Sequence, residues 1–222
     1  RVKSFKVPEE SGKAVAYLLE APEKKADAAM EKKEAEAKAE AKPAAGAADA
    51  AKKPKEKKKD PGTELVVRDL ATGTQATIAE VLEYVWAKDG TWLAYGTASQ
   101  AKTPEKDGAF ARRTADGVTK TLLSGLGHYK SFTFDEKATQ VAFLSDRDAY
   151  KDDPAIYKLY HWPATAETAA ELVSGATKGV PAGMVVSEHG RPEFSKDGAR
   201  LYFGYAPPPA PEPAEDATPP IK

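Results

Sequence analysis

The chain has 222 residues, a formal net charge of −1 and no cysteine. The length suffices for one large core, and the charge balance points to neither a nucleic-acid nor an acidic partner. The missing cysteines exclude disulfides, thiol catalysis and cysteine–zinc sites, and no run approaches the ~18 apolar residues of a membrane span.

The chain opens at Arg1 with neither a methionine nor a signal peptide, which reads as a trimmed protein or a fragment. Pro8-Glu9-Glu10-Ser11-Gly12-Lys13-Ala14-Val15-Ala16-Tyr17 follows as a turn leading into an aromatic strand. Residues 23–60 are rich in Ala, Lys and Glu, contain no aromatic side chain, and cannot bury a core. Helix formers and mixed charges near i,i+4 spacing predict a solvated, partly formed helix over 26–41. Pro43, Gly46 and Pro54 stop it before a basic run at 55–59. The segment reads as a disordered or partly helical insertion between two strands of a first unit. The alternative is a basic arm that touches cell wall, anionic lipid or nucleic acid, against which the interspersed Glu residues argue.

Glu64-Leu65-Val66-Val67-Arg68-Asp69-Leu70 is an apolar strand and Ala71-Thr72-Gly73-Thr74 its turn. Then comes Trp86-Ala87-Lys88-Asp89-Gly90-Thr91-Trp92-Leu93-Ala94-Tyr95, which returns as Phe194-Ser195-Lys196-Asp197-Gly198-Ala199-Arg200-Leu201-Tyr202-Phe203. A weaker copy, Phe132-Thr133-Phe134-Asp135-Glu136-Lys137-Ala138-Thr139-Gln140-Val141-Ala142-Phe143, lies between them, and residues 8–17 are a decayed one. Each predicts aromatic strand, tight turn, aromatic strand. The Asp-Gly pairs at 89–90 and 197–198 are strong hairpin signals, because glycine takes the positive φ such a turn needs. The step from Asp89 to Asp135 matches the ~40–50 residues of a four-stranded propeller blade. So does the step from Gly12 to Gly90 once 23–60 is set aside. The step from Asp135 to Asp197 is longer and leaves room for a loop insertion. Short apolar runs at 140–144 and 199–203 suit strands buried on both faces, as stacked blades require. The fold class is therefore all-β: a partial β-propeller over 1–206, with about three to four blades of four-stranded antiparallel sheet. Residues 207–222 are proline-dense and read as an extended linker or a truncated loop. Such an open ring exposes sheet edges, so the chain alone is expected to be marginally stable or to aggregate.

Little in the chain reads as chemistry. It contains no G-x-S-x-G elbow, H-E-x-x-H, phosphate-binding loop or dinucleotide fingerprint, so no catalytic residue, metal or cofactor is assigned. His128, in Gly125-Leu126-Gly127-His128-Tyr129, precedes the third unit, and His189, in Ser187-Glu188-His189-Gly190-Arg191-Pro192, precedes the fourth. Matching positions read as blade-opening loops with a structural hydrogen bond. Their alternative role is contact with substrate or a neighbouring domain at one end of a central channel, and His128, His189 and Arg191 are the candidates. Asp146, Asp148, Asp152 and Asp153 form an acidic stretch interrupted by Arg147 and Lys151. It reads as a polar inter-strand loop rather than a calcium loop. Trp86, Trp92 and Trp162 read as blade-packing aromatics, and Ser195 as part of a turn, with no base placed to activate it.

The repeats at 84–95 and 192–203, with Leu65-Val66-Val67-Arg68-Asp69-Leu70-Ala71-Thr72-Gly73 and Phe143-Leu144-Ser145-Asp146-Arg147-Asp148, resemble the propeller of the prolyl oligopeptidase family of serine peptidases. The likeness covers about residues 1–20 and 62–206 and is to exported, periplasmic bacterial members. It implies a two-part enzyme, with a C-terminal α/β-hydrolase domain carrying a Ser-Asp-His triad that has no counterpart in these residues. The chain would be the non-catalytic part, gating access of short peptides to that domain; its partners would be the domain and the peptide. Two other readings stay open: a stand-alone propeller-type binding or scaffold module of the cell envelope, and an envelope protein whose functional part is the Ala/Lys-rich segment.

Overall fold

A computed structural model of the chain describes residues 1–21, 61–99, 106–152 and 154–210. The readings of 23–60, Asp153 and 211–222 lie outside the described residues. Apart from one 3-10 turn at Arg147–Ala149, all regular structure among the described residues is strand. In chain order the strands are β1 (Val2–Lys6), β2 (Ala14–Leu19), β3 (Thr63–Asp69), β4 (Gln75–Trp86), β5 (Trp92–Thr97), β6 (Gly108–Arg113), β7 (Thr119–Ser124) and β8 (Tyr129–Phe134). They continue as β9 (Gln140–Ser145), β10 (Lys158–Pro163), β11 (Ala170–Val173), β12 (Val185–Val186), β13 (Glu193–Phe194), β14 (Leu201–Tyr202) and β15 (Tyr205–Ala206).

Strands β1 to β7 form one antiparallel meander in sequence order. The long β4 belongs to two blades. Residues 75–78 pair with β3, as does Val81 through Thr63 after a register shift, and from Val81 onward the strand pairs with β5. Between the halves Glu80 takes a left-handed φ of 60°. The meander is thus two four-stranded blades that share one swivelled strand. A third blade follows in the order β11-β10-β9-β8, and two short pairs, β13–β14 and β12–β15, begin a fourth. The sheets do not close into a ring. Because β2 pairs directly with β3, through Leu18 opposite Leu65, the residues between them connect two bonded neighbours of the first blade.

Alternation explains why these short apolar runs are strands. On β5, Leu93 and Tyr95 join the core between the first and second blades, while Ala94 faces the core between the second and third. On β9, Val141 and Phe143 turn to the second blade, and Ala142 and Leu144 to the fourth. On β10, Tyr160 and Trp162 face one way and Leu159 the other. Each strand buries both faces, which only stacked sheets allow. A fully buried side chain of this size contributes about 1.5–3 kcal/mol by removal from water.

The repeated unit is a repeated hydrogen-bond pattern. Ala87, Asp135 and Ser195 each donate their amide to the carbonyl five residues on, at 2.9, 3.2 and 2.8 Å. Gly90, Ala138 and Gly198 each donate back to the carbonyl three residues earlier, with φ of 75°, 54° and 73°. The decayed copy at 8–17 does not share this geometry, and Gly12 is not among the residues with positive φ. Ala138 therefore occupies a glycine position and bears the steric cost of left-handed backbone for an L-residue, about 1–2 kcal/mol. We expect Ala138→Gly to raise stability by up to about 1 kcal/mol, less than the relieved strain because glycine also loosens the unfolded chain. Urea unfolding at constant slope checks this.

One predicted strand is shorter than expected. The run 199–203 contributes only Leu201–Tyr202 as strand. Arg200 is held by the Ser195 turn, and Tyr202 is largely exposed, so little packing extends the ladder.

Candidate functional site on the inner strands

The first strand of each blade, namely β1, the second half of β4, β8 and β13, corresponds to the strand that lines the shaft of a propeller. Polar side chains tie these strands edge to edge. Trp86 Nε1 donates to the Lys6 carbonyl at 3.1 Å, and Lys6 Nζ donates to the Tyr84 carbonyl at 2.8 Å. The Glu83 carboxylate accepts the amides of Ser131 and Phe132 at 3.0 and 3.3 Å. It thereby caps a bulge in β8, where the register shifts between Lys130 and Thr133 and Ser131 has a φ of 58°. Lys130 Nζ donates to Glu188 Oε2 at 2.7 Å and lies 4.3 Å from the Tyr157 ring centroid.

The result is a row of alternating charge: Lys6, Glu83, Lys130, Glu188. Burial lowers the Lys6 ammonium below its ordinary pKa; Glu83 opposes that and Arg191 adds to it. The row offers donors and acceptors to an extended polar chain. Such a row can bind and orient a polar chain.

His128 serves the scaffold directly. Its amide and Nδ1 meet Asp146 Oδ1 and Oδ2 at 2.7 and 2.8 Å, and its ring tilts against Tyr150 at 5.3 Å. Because the carboxylate only accepts, Nδ1 carries the proton. His189 is 88% exposed, with Nε2 3.8 Å from Glu188 Oε1, and Arg191 is exposed. The Lys130–Glu188 bond brings the two blade-opening loops alongside each other, but among the described residues no hydrogen bond joins the two imidazoles.

The acidic stretch divides by burial. Asp146, expected on a polar loop, is 1% exposed because it caps the His128 loop. Asp148 binds Arg147, Lys158 and Tyr160. The Lys158 hydrogen bond, chiefly, holds the Asp148 carboxyl down at about 2. A carboxylate with a depressed folded pKa stabilises the fold above its ordinary value of 3.8, and that stability is lost as pH falls toward the folded value. Asp148→Asn is therefore expected to flatten the fall in urea midpoint between about pH 4 and 2, most clearly at low salt.

His161 was passed over in the sequence. Gln140 donates Nε2 to the Gly198 carbonyl at 2.8 Å, which turns its Oε1 toward His161 Nε2, also at 2.8 Å. His161 therefore carries its proton on Nε2, and burial lowers its pKa. This chain of bonds stitches the third blade to the turn of the fourth. Ser195 Oγ donates to Asp197 Oδ1 and accepts the Arg200 amide, as a turn residue does. Trp162 is fully buried and Trp86 nearly so, while Trp92 packs edge-on to Trp162 at 5.4 Å. Among the described residues, no group of three His, Cys, Asp or Glu side chains could hold a metal ion, and no helix is long and apolar enough to cross a membrane.

No family profile and no curated protein matches the sequence. Among solved structures, the chain is similar to the β-propeller domain of the Trilobed protease from Pyrococcus furiosus, at 12% identity and a TM-score of 0.46. That likeness covers 92% of this chain and 53% of the other. It is also similar to the tricorn protease, at 12% identity and a TM-score of 0.44, over 73% of this chain and 13% of that one. A third similar structure is the acylaminoacyl peptidase of Pyrococcus horikoshii, at 12% identity and a TM-score of 0.42 over 77% and 24%. The chain thus spans about half the length of the first and about a quarter or less of the other two.

Proposed function

We propose that this chain is the non-catalytic propeller segment of a serine peptidase of the prolyl oligopeptidase type. The observation that carries the proposal is the row of alternating charges formed by Lys6, Glu83 and Lys130 on the inner strands of stacked blades and by Glu188 on the loop that opens the fourth. The sequence resemblance supplies the reaction class. In this reading the blades screen substrates by size. Lys6, Glu83, Lys130 and Glu188 contact the backbone and charged ends of short peptides on their way to an α/β-hydrolase domain of the same polypeptide. His189 and Arg191, exposed on a blade-opening loop, touch substrate or that domain, and His128 holds the neighbouring loop in shape. Acyl transfer by a Ser-Asp-His triad is carried by protein groups, so the reading requires no cofactor.

The test uses the full-length natural protein. A fluorophosphonate probe should label a serine outside residues 1–222. Short peptides should be cleaved and folded proteins spared, and Lys130→Glu should change KM more than kcat. A well-folded product with no labelled serine would overturn the reading in favour of a stand-alone binding module of the cell envelope.

A further inference from the structure

The hairpin turns of the blades gather at the end opposite the His128 and His189 loops, as the antiparallel strand order requires. There a cleft of ≈ 460 Å³ opens between the first and second blades. Ala14, Val67, Trp86 and Leu93 line it with apolar surface, and two outer turns, at 69–74 and 114–117, form its rim. That volume falls in the ~300–1,000 Å³ range of small-molecule sites.

Arg112 enters this cleft from β6. Its Nη1 donates to the Gly117 carbonyl at 2.6 Å. Gly117 has a φ of 71°, and a Cβ there would lie 2.5 Å from Arg112 Nη2, so the turn is shaped around the guanidinium. The carboxylates of the rim are engaged elsewhere. Asp69 accepts the amides of Ala71 and Thr72, and Asp116 takes the Arg113 side chain and the Val118 amide. Among the described residues no carboxylate pairs with Arg112. A guanidinium has five donors, and here most remain unused above an apolar floor.

Between the second and third blades the corresponding turn end is filled. Trp162 and Trp92 occupy it edge to face, Lys120 reaches across to the carbonyls of Ala164 and Ala166, and Arg113 lies over Trp92. A smaller cleft of ≈ 370 Å³ does lie between these two blades, but it runs beside β7 and is lined by Arg147, whose guanidinium already pairs with Asp148.

We propose that this cleft binds a small organic carboxylate with an apolar body. The carboxylate accepts from the Arg112 guanidinium in the forked geometry the two groups share, and the body lies against Val67 and the edge of Trp86. The site is independent of the peptidase reading and lies at the other end of the fold.

N-acetyl-phenylalanine is the probe, and N-acetyl-phenylalaninamide, which lacks the charge, is its control. Titrating the whole chain with the acid should give a saturable shift of the Trp86 indole N–H signal. The amide control and Arg112→Gln should each weaken binding at least about tenfold, the loss of one charge-assisted hydrogen bond. Ala76→Leu, which narrows the cleft without touching Arg112, should weaken it as well. The proposal is overturned if no saturable shift occurs, if the amide binds as well as the acid, or if either variant binds like the parent.

Discussion

Trp162→Ala is expected to cost about 3–5 kcal/mol, the range for removing a fully buried large aromatic. Trp162 has no exposed surface. Its ring is the largest side chain in the core between the second and third blades, a cluster that also holds Ala94, Ala111, Leu122, Val141 and Tyr160. Its Nε1 donates to the Ala166 carbonyl at 3.0 Å, so truncation leaves that acceptor only the Lys120 ammonium as well as opening a cavity. Trp92 loses its edge-to-face contact and Lys120 the ring beneath it. A domain's whole stability is only ~5–15 kcal/mol, so the variant should be largely unfolded or should melt far below the parent. Trp162→Phe keeps most of the volume and should lose roughly half as much or less. Urea unfolding of both variants is the measurement. A loss below about 1 kcal/mol for the alanine variant would mean that the second and third blades do not share one core.

What the sequence made legible follows from local chemistry. Asp-Gly at 89–90 and 197–198 needs only the glycine's backbone freedom, and both turns stand where expected with positive φ. The strands at 64–70 and 140–144 appear within a residue or two, as β3 and β9. Their alternation into two different cores is what made short apolar runs read as stacked blades. The inner-strand row was less visible, because its members are far apart in sequence. Glu83 caps a bulge at Ser131, and nothing near Glu83 announces that partner. Asp146 looked solvated because Arg147 and Asp148 follow it, yet the His128 loop covers it. A search for one carboxylate that could satisfy both the amide and the ring of a blade-opening histidine would have been the signal. The Arg112 cleft was equally silent, since it depends on which of two adjacent arginines finds a carboxylate. Glu80 is the clearest case. Ile78-Ala79-Glu80-Val81 contains neither glycine nor proline, so no turn residue marks the place where β4 passes from one blade to the next.

That passage yields the other large effect. Gly62→Ala is expected to destabilise the chain by about 3 kcal/mol or more, at the upper end of overpacking costs. A Cβ on Gly62 would lie 2.0 Å from the Glu80 carbonyl oxygen, 2.1 Å from its carbon and 2.7 Å from the Val81 nitrogen. All three atoms are backbone, so no side chain can swing aside. Nor can the carbonyl move freely, because it accepts the Ala98 amide at 2.8 Å while the Ala98 carbonyl accepts the Gly62 amide at 3.0 Å. Gly62, Glu80 and Ala98 form one bonded knot joining the first blade to the second. Gly62 does not have a positive φ, so alanine there suffers from contact alone and not from its own backbone conformation. Glu80→Gly separates the two causes. It relieves the left-handed strain at the swivel, keeps the knot, and should leave stability within about 1 kcal/mol of the parent. If Gly62→Ala unfolds at the parent's urea midpoint, the two blades are not held at this knot, and the swivel at Glu80 is not what turns one meander into two stacked sheets.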